Sequence, residues 1–488
     1  MSEPKLLTIK HYLPYVALLL VLGFGIWLIL ATGSRLYPRP VDSSLQQPIT
    51  APSTAAPTES DSGGHAGRIL LKNLRNSLSI LLLQLVVILV ATRLVGRLFK
   101  KIGQPPVLGE IVAGIVLGPS LLGWLSPETM TFLFPDSSME TLKLLSQIGV
   151  ALFMFVVGME LDVDHLRQKA HTAIMVSHAS IVVPFFLGVA LSLWLYPSLA
   201  QTSFSAFALF MGIAMSITAF PVLARILEDR GMSQTQLGNT ALTCAAVDDV
   251  TAWCLLALVI AIAQSGGVGA SFITIAMTLI FIGIMLLIVK PQLARLLTAR
   301  SNSSRGHQEY SRGVIAGILA FVFACALITE GIGIHALFGA FLAGVAMPSA
   351  SGLRALLKEK LETFSATALL PLFFAFTGLR MQVSALNDWS SWGVCAVIIA
   401  VAIAGKLGAS MLMARWTGLK WRDSFSLGVL MNTRGLVELV VLNIGYDLGI
   451  LSPRSFAMMV LMTLVTTFMT GPLLWLVKTD RRHESILG

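Results

Sequence analysis

Two adjacent carboxylates, Asp248 and Asp249, lie inside an apolar run of roughly residues 236–263. A run of that length spans a bilayer as a helix. A chain that carries two acids at such depth must fold around them. An ionisable side chain in hydrocarbon is costly and marks an ion pathway or a buried pair. Like charges in a low-dielectric interior resist simultaneous ionisation, so the protons of such a pair leave in coupled steps. A site that readily holds one proton or one cation suits proton-coupled ion transport. The plainer alternative is a structural pair neutralised by one lysine or arginine. Successive helical residues diverge by about 100°. One carboxyl can therefore face a counter-charge while the other faces an ion path.

Apolar stretches recur along the whole chain, which is 55% hydrophobic and 12% charged. This predicts an all-α polytopic membrane protein. The stretches are continuous and lack the alternation of a transmembrane barrel. The net charge of +9 does not point to nucleic acid, because the basic residues cluster in short connections where they set topology. Cys244, Cys254, Cys325 and Cys395 all fall in apolar segments without a CxxC pattern, and read as small buried hydrophobes.

Residues 1–33 hold an apolar run preceded by Lys5 and Lys10, read as an extra transmembrane helix or, alternatively, a signal sequence. Residues 34–68, with Pro38, Pro40, Pro48, Pro52 and Pro57, read as a flexible polar extracytoplasmic linker. Residues 69–478 form the transmembrane domain, with thirteen spans, and 479–488 a short cytoplasmic tail. Alternate connections carry Arg97/Lys100/Lys101, Arg167/Lys169, Arg225/Arg230, Lys290/Arg295/Arg300/Arg305, Arg354/Lys358/Lys360, Arg415/Lys420/Arg422 and Lys478/Arg481/Arg482. This places the C-terminus in the cytoplasm of a cell with the protein in its inner membrane. Arg380 and Arg454 depart from that pattern.

A repeat is visible. Val112–Ser120 is echoed by Leu342–Ser349 with one residue deleted, and Leu152–Glu160 by Leu372–Arg380 without a gap. The second and third spans thus match the ninth and tenth, so repeats of about 70–264 and 310–478 are related by an odd offset, which inverts one of them. Inverted repeats are a transporter signature, with the ion site where interrupted helices meet.

The fifth and twelfth spans should match, and both carry breakers. The fifth contains Thr218 and Pro221, where proline removes a donor and frees a carbonyl one turn earlier. The twelfth contains Asn432-Thr433-Arg434-Gly435 inside an apolar segment. Freed carbonyls and half-helix ends there can coordinate a cation or balance a charge. Lys406 lies mid-span in the eleventh, too deep to reach the interface, as a partner for one aspartate. Arg434 and Glu438 are four residues apart and read first as a structural ion pair.

Asp248-Asp249, Thr218-Ala219-Phe220-Pro221, Lys406, Asn432–Glu438 and the early Gly109–Pro119 segment together resemble the monovalent cation:proton antiporters, in particular their second family. The likeness covers roughly residues 75–478. It implies a 13-helix inverted-repeat antiporter fold with two crossing discontinuous helices, plus one extra N-terminal helix. It further implies a homodimer whose core moves against a dimerisation domain. In the family the second acid binds Na⁺, K⁺ or H⁺, which maps to Asp249. The first, here Asp248, pairs with the lysine that corresponds to Lys406. An acid in the first position goes with electrogenic exchange. The chain departs from the family in its N-terminal helix and in Cys244, where some members carry a glutamate. It also stops soon after its last span, so a C-terminal nucleotide-binding regulatory domain is not expected. An intramembrane aspartyl protease needs two acids on different helices converging on one water, and adjacent acids do not meet that need. A channel or ion sensor on a transporter fold is the remaining alternative, but no filter-like carbonyl run is present. No cofactor and no enzymatic activity are expected; the partners are the bilayer, the cation and the proton.

Overall fold

In the computed structural model the described residues are 4–37, 76–160, 170–233, 235–264, 268–295, 312–348 and 352–484. Most of the expected linker, the cations Arg167, Lys169, Arg300 and Arg305, and the last residues of the tail lie outside them. Every predicted span has a helical counterpart. Among the described residues the only β pairing is an isolated bridge between Ala200 and Leu451. Among the described residues twelve helices are long and apolar enough to cross a membrane, or up to 13 with a bent pair counted as one span. A bilayer imposes this, because backbone groups without water must bond within their own segment.

The N-terminal helix, α1 (Pro4–Leu36), lies against α5 (Ala170–Leu199) and α6 (Phe204–Ser216). Tyr15 and His178 Nδ1 share a hydrogen bond of 2.7 Å. Any side chain at Gly33 would meet the Phe204 ring at 2.0 Å, so only glycine allows this approach.

One group of helices comprises α2 (Ser77–Lys101), α3 (Pro106–Leu117), α4 (Asp136–Glu160), and, from the second half, the helices Arg312–Ile332, Ala336–Val345 and Leu370–Arg380. Their backbones touch through small residues, the usual mode where lipid removes the hydrophobic drive between helices. A Cβ on Gly158 would sit 2.1 Å from the Phe341 carbonyl, and one on Gly344 the same distance from that of Phe155. The second span packs on the tenth and the third on the ninth. Exchanging the two copies of the sequence repeat maps each of these contacts onto the other.

The second group surrounds the acids. It contains α5, α6, α7 (Phe220–Asp229), α8 (Gln236–Gln264), the helix Trp389–Ile403 continued through a π turn to Ala409–Trp416, and the pair Trp421–Met431 and Leu436–Asp447. The last helix, Pro453–Glu484, packs along it.

Three expectations need correction. The interruption expected in the fifth span is present, with α6 ending at Ser216 and α7 beginning at Phe220, but the role of Pro221 differs. Pro221 occupies the first turn of α7, where the missing N–H costs no helical bond, so it starts a helix instead of kinking one. The stretch 333–348 yields a helix of only 10 residues, Ala336–Val345. At about 1.5 Å per residue that is too short to cross hydrocarbon alone. Cys254 is exposed, unlike the buried Cys244, Cys325 and Cys395.

The two arginines that break the charge pattern are both paired. Arg454 lies 3.3 Å from Asp388, whose carboxyl is held below the usual carboxylate range by the Ser391 hydroxyl and by that guanidinium. Arg380 pairs with Asp447, donates to Asn443 Oδ1 at 2.9 Å and lies over the Tyr446 ring. Lys143 of α4 reaches the same Asp447 at 3.1 Å. Asp447 thus ties the end of the twelfth span to the first group of helices. Asp447→Ala leaves two partly buried cations facing each other and is expected to cost about 1–2 kcal/mol. The thermal midpoint of the purified protein in detergent measures this, and an unchanged midpoint would contradict it.

Candidate functional site

The two helix breaks meet. Residues 217–219 between α6 and α7 pass residues 432–435 between Trp421–Met431 and Leu436–Asp447, whose axes bend by 40°. The Ala219 N–H donates to the Thr433 carbonyl at 3.1 Å, joining the two non-helical strands of chain. A Cβ on Gly435 would lie 2.5 Å from the Val222 side chain, so glycine permits the crossing. The last helix brackets the second break. Thr467 accepts from the Arg434 N–H at 3.0 Å and donates to the Arg434 carbonyl at 2.8 Å, and Thr470 lies 3.3 Å from the Thr433 hydroxyl. Asn432 donates to the Met469 sulfur at 3.6 Å, while its side-chain carbonyl is buried without a partner among the described residues.

Asp248 and Asp249 sit beside this crossing on α8, both with no solvent exposure. Their surroundings are unequal. Asp248 Oδ1 accepts from Ser177 at 2.5 Å. Its Oδ2 accepts from Ser180 at 2.8 Å, from Thr218 at 2.7 Å and from Lys406 Nζ at 2.9 Å. Lys406 also donates to the carbonyls of Ser180, at 3.0 Å, and Ser216. An ammonium has three N–H groups, and all three of these are used. Lys406 lies in the π turn Ala404–Gly408, an irregularity frequent at functional positions. Among the described residues neither oxygen of Asp249 has a hydrogen-bond partner.

Arg434 and Glu438 are also fully buried and paired at 2.9 Å. The guanidinium does more than balance that acid. It donates to the carbonyls of Ala214 and Met215 at 2.6 Å each. Those belong to the last turn of α6, whose carbonyls lose their helical partners at the break. Arg434 therefore caps a half-helix, and a cation at a helix C-terminus is favoured by the peptide dipoles.

A cavity of about 860 Å³ opens nearby, lined among others by Arg230, Asn239, Thr243, Lys420 and Asp423. On α8 it reaches Thr243, six residues and thus about 9 Å of helix rise short of Asp249.

All nine residues singled out in the sequence lie at or beside the crossing. Thr218, expected with Asp248 and Asp249 in the ion- or proton-binding set, directs its hydroxyl to Asp248 and to the Met431 carbonyl. Ser177, Ser180 and Thr467 were missed. The signal for the first two was a pair of hydroxyls one turn apart, flanking His178 in a largely apolar span, which is too common in membrane helices to stand out. Among the described residues no cluster of three or more metal-ligating side chains forms.

Residues 68–476 match the family model of the sodium/hydrogen exchanger transmembrane region. The chain is 45% identical over 402 residues to the Na(+)/H(+) antiporter NhaS4 of Synechocystis sp., covering 82% of this chain and 97% of that one. It is 40% identical to Cation/H(+) antiporter 17 of Arabidopsis thaliana, with 85% of this chain matching 51% of the relative. With K(+)/H(+) antiporter 1 of Saccharomyces cerevisiae the identity is 33%, over 85% of this chain and 48% of the relative. The chain thus spans about half the length of these plant and yeast proteins. The fold is similar to that of the sodium proton antiporter MjNhaP1 from Methanocaldococcus jannaschii, with a TM-score of 0.59 at 15% identity over 81% of this chain and 96% of that one. An all-helical bundle with acids buried at a double helix break and a family match over most of its length lead to one conclusion: this chain belongs to the sodium/hydrogen exchanger family of membrane transporters and is not an enzyme.

Proposed function

We propose that the protein is a secondary antiporter that exchanges Na⁺ or K⁺ for H⁺ by alternating access, with Asp249 as the carboxylate for which cation and proton compete. The observation that carries this reading is the inequality of the acids. Asp248 is saturated with donors, whereas Asp249 is buried without a partner beside two broken helices. An unpartnered buried carboxylate is costly, so it demands a proton or a cation, and only the neutralised form passes a dry barrier cheaply. Asp248 and Lys406 form a neutral strut, and Arg434 and Glu438 a second, so the unit around Asp249 carries little charge of its own. The names of the relatives, which include Na⁺/H⁺ and K⁺/H⁺ antiporters, agree with cation/proton exchange.

The cavity bounded by Arg230 and Lys420 is then the cytoplasmic vestibule, because both residues lie in connections that the charge asymmetry places inside. We assign α1 (Pro4–Leu36) to an extra helix carried by the site-bearing unit, the segment from there to residue 68 to an extracytoplasmic linker, 69–478 to the transport domain and 479–488 to the cytoplasmic side. A homodimer in the cell membrane completes the proposal.

Solid-supported-membrane currents with Na⁺, K⁺ and Li⁺ at several pH values test the function. Cation-dependent currents that reverse with the proton gradient support it. Conductance without coupling to a proton gradient would mean a channel. Lys406→Ala combined with Asp248→Asn removes one charge of each sign from the neutral strut and is expected to retain exchange with the same number of charges moved per cycle. Currents compared with dye-reported ΔpH dissipation read this ratio, and an altered ratio would mean that the strut does not stay neutral through the cycle.

A further inference from the structure

We propose that Ser177 and Ser180 of α5 are positioning residues that enforce the division of labour between the two acids; this rests on the assignment of exchange to Asp249. Their hydroxyls reach Asp248 from a helix that is separate from both broken spans, one to each carboxylate oxygen, at 2.5 and 2.8 Å. Both serines are fully buried. Ser180 acts on both members of the strut, since its hydroxyl donates to Asp248 and its carbonyl accepts from Lys406 at 3.0 Å. Thr218 adds a third hydroxyl, from the break itself.

The consequence follows from donor counting. Asp248 accepts four hydrogen bonds, which holds its carboxylate in one orientation, turned towards α5 and Lys406. Lys406 spends its three donors on Asp248, Ser180 and Ser216 and keeps none for Asp249. Charge-assisted hydroxyl bonds stabilise a buried carboxylate. Without the two serines Asp248 would lose half of its donors. It could then turn or take up a proton, and the ammonium would be released to pair with Asp249. Lys406 would become a competitor of the transported cation at the carboxylate that binds it. The serines thus keep the resident cation of the protein away from the site of the exchanged one. The small hydroxyl fits this task, because a carboxamide or a second charge would bring its own demands for partners.

The test uses the full-length protein, purified and reconstituted. Ser177→Ala/Ser180→Ala is expected to raise the half-saturating Na⁺ or K⁺ concentration about tenfold, the equivalent of one charge-assisted hydrogen bond. The maximal current should fall by a smaller factor. Ser177→Thr/Ser180→Thr, which keeps the hydroxyls, should restore the affinity. Cation-induced thermal stabilisation in detergent gives the same half-saturation without transport. In an Asp248→Asn background the two alanines should add no further shift. An unchanged half-saturation in the alanine variant overturns the proposal, as does an equal shift in the Asp248→Asn background, which would place the serines elsewhere than on Asp248. If the double alanine variant does not fold, Ser177→Ala alone carries the same two readouts. Retained exchange in Asp249→Asn would overturn the carrier assignment instead, and the coupling between the serines and Asp248 would still be read separately.

Discussion

Asp249→Asn is expected to abolish exchange. The carboxamide is close to the carboxylate in size, so packing on α8 should survive, but it can bind neither a proton nor a cation by charge. Asp249 has no hydrogen bond to lose among the described residues. The fold should therefore tolerate the change, and a neutral amide at this depth removes the cost of a bare charge. Thermal stability equal to or above that of the parent protein, with no cation-dependent current and no dissipation of a preformed ΔpH in everted vesicles, is the expected pair of results. Full transport by the asparagine variant would end the assignment. The same substitution at Asp248 should behave differently. There it leaves Lys406 as an unbalanced buried cation, so stability should fall along with any change in transport.

Arg434→Ala is expected to produce the largest loss of stability. The guanidinium holds Glu438 and the two carbonyls that end α6. Its removal strands a buried acid and uncaps a half-helix at once. Breaking one partner of a buried ion pair costs about 3–5 kcal/mol, and a lost C-terminal cation adds up to about 2 kcal/mol in a buried setting. A steep fall of the thermal midpoint in detergent, or loss of a monodisperse peak in size exclusion, would register this. Arg434→Met with Glu438→Leu removes both charges and should recover part of the loss, because no acid is then left alone. Equal stability of the single and double variants would mean that the capping of α6, not the ion pair, is the dominant contribution.

Much of the fold was legible in the chain. Hydropathy and length located the spans, because in a bilayer each helix satisfies its own backbone and needs no knowledge of its neighbours. The breaks near Pro221 and Asn432-Thr433-Arg434-Gly435 were legible for a similar reason, since proline and glycine act within a turn of themselves. Their outcomes were less so. Pro221 could have bent a continuous helix, and it starts a new one because the Ala219 N–H bonds the Thr433 carbonyl across the crossing. The shortness of the ninth span was also hidden. The stretch 333–348 is apolar apart from His335, but residues 333–335 turn before the helix begins, with Gly333 and His335 in the left-handed region.

What the sequence determined by itself was the presence of two acids at bilayer depth, the breakers opposite them and a buried lysine. These follow from local composition and spacing. The tertiary structure decided which acid is partnered. Side chains about 100° apart on one helix face different neighbours, and those neighbours come from Ser177 and Ser180, Thr218 and Lys406, on elements far apart in the chain. No pattern along the sequence encodes that three hydroxyls and an ammonium converge on Asp248 while Asp249 is left bare. Their convergence is a property of how the helices pack, and the proposed exchange depends on it.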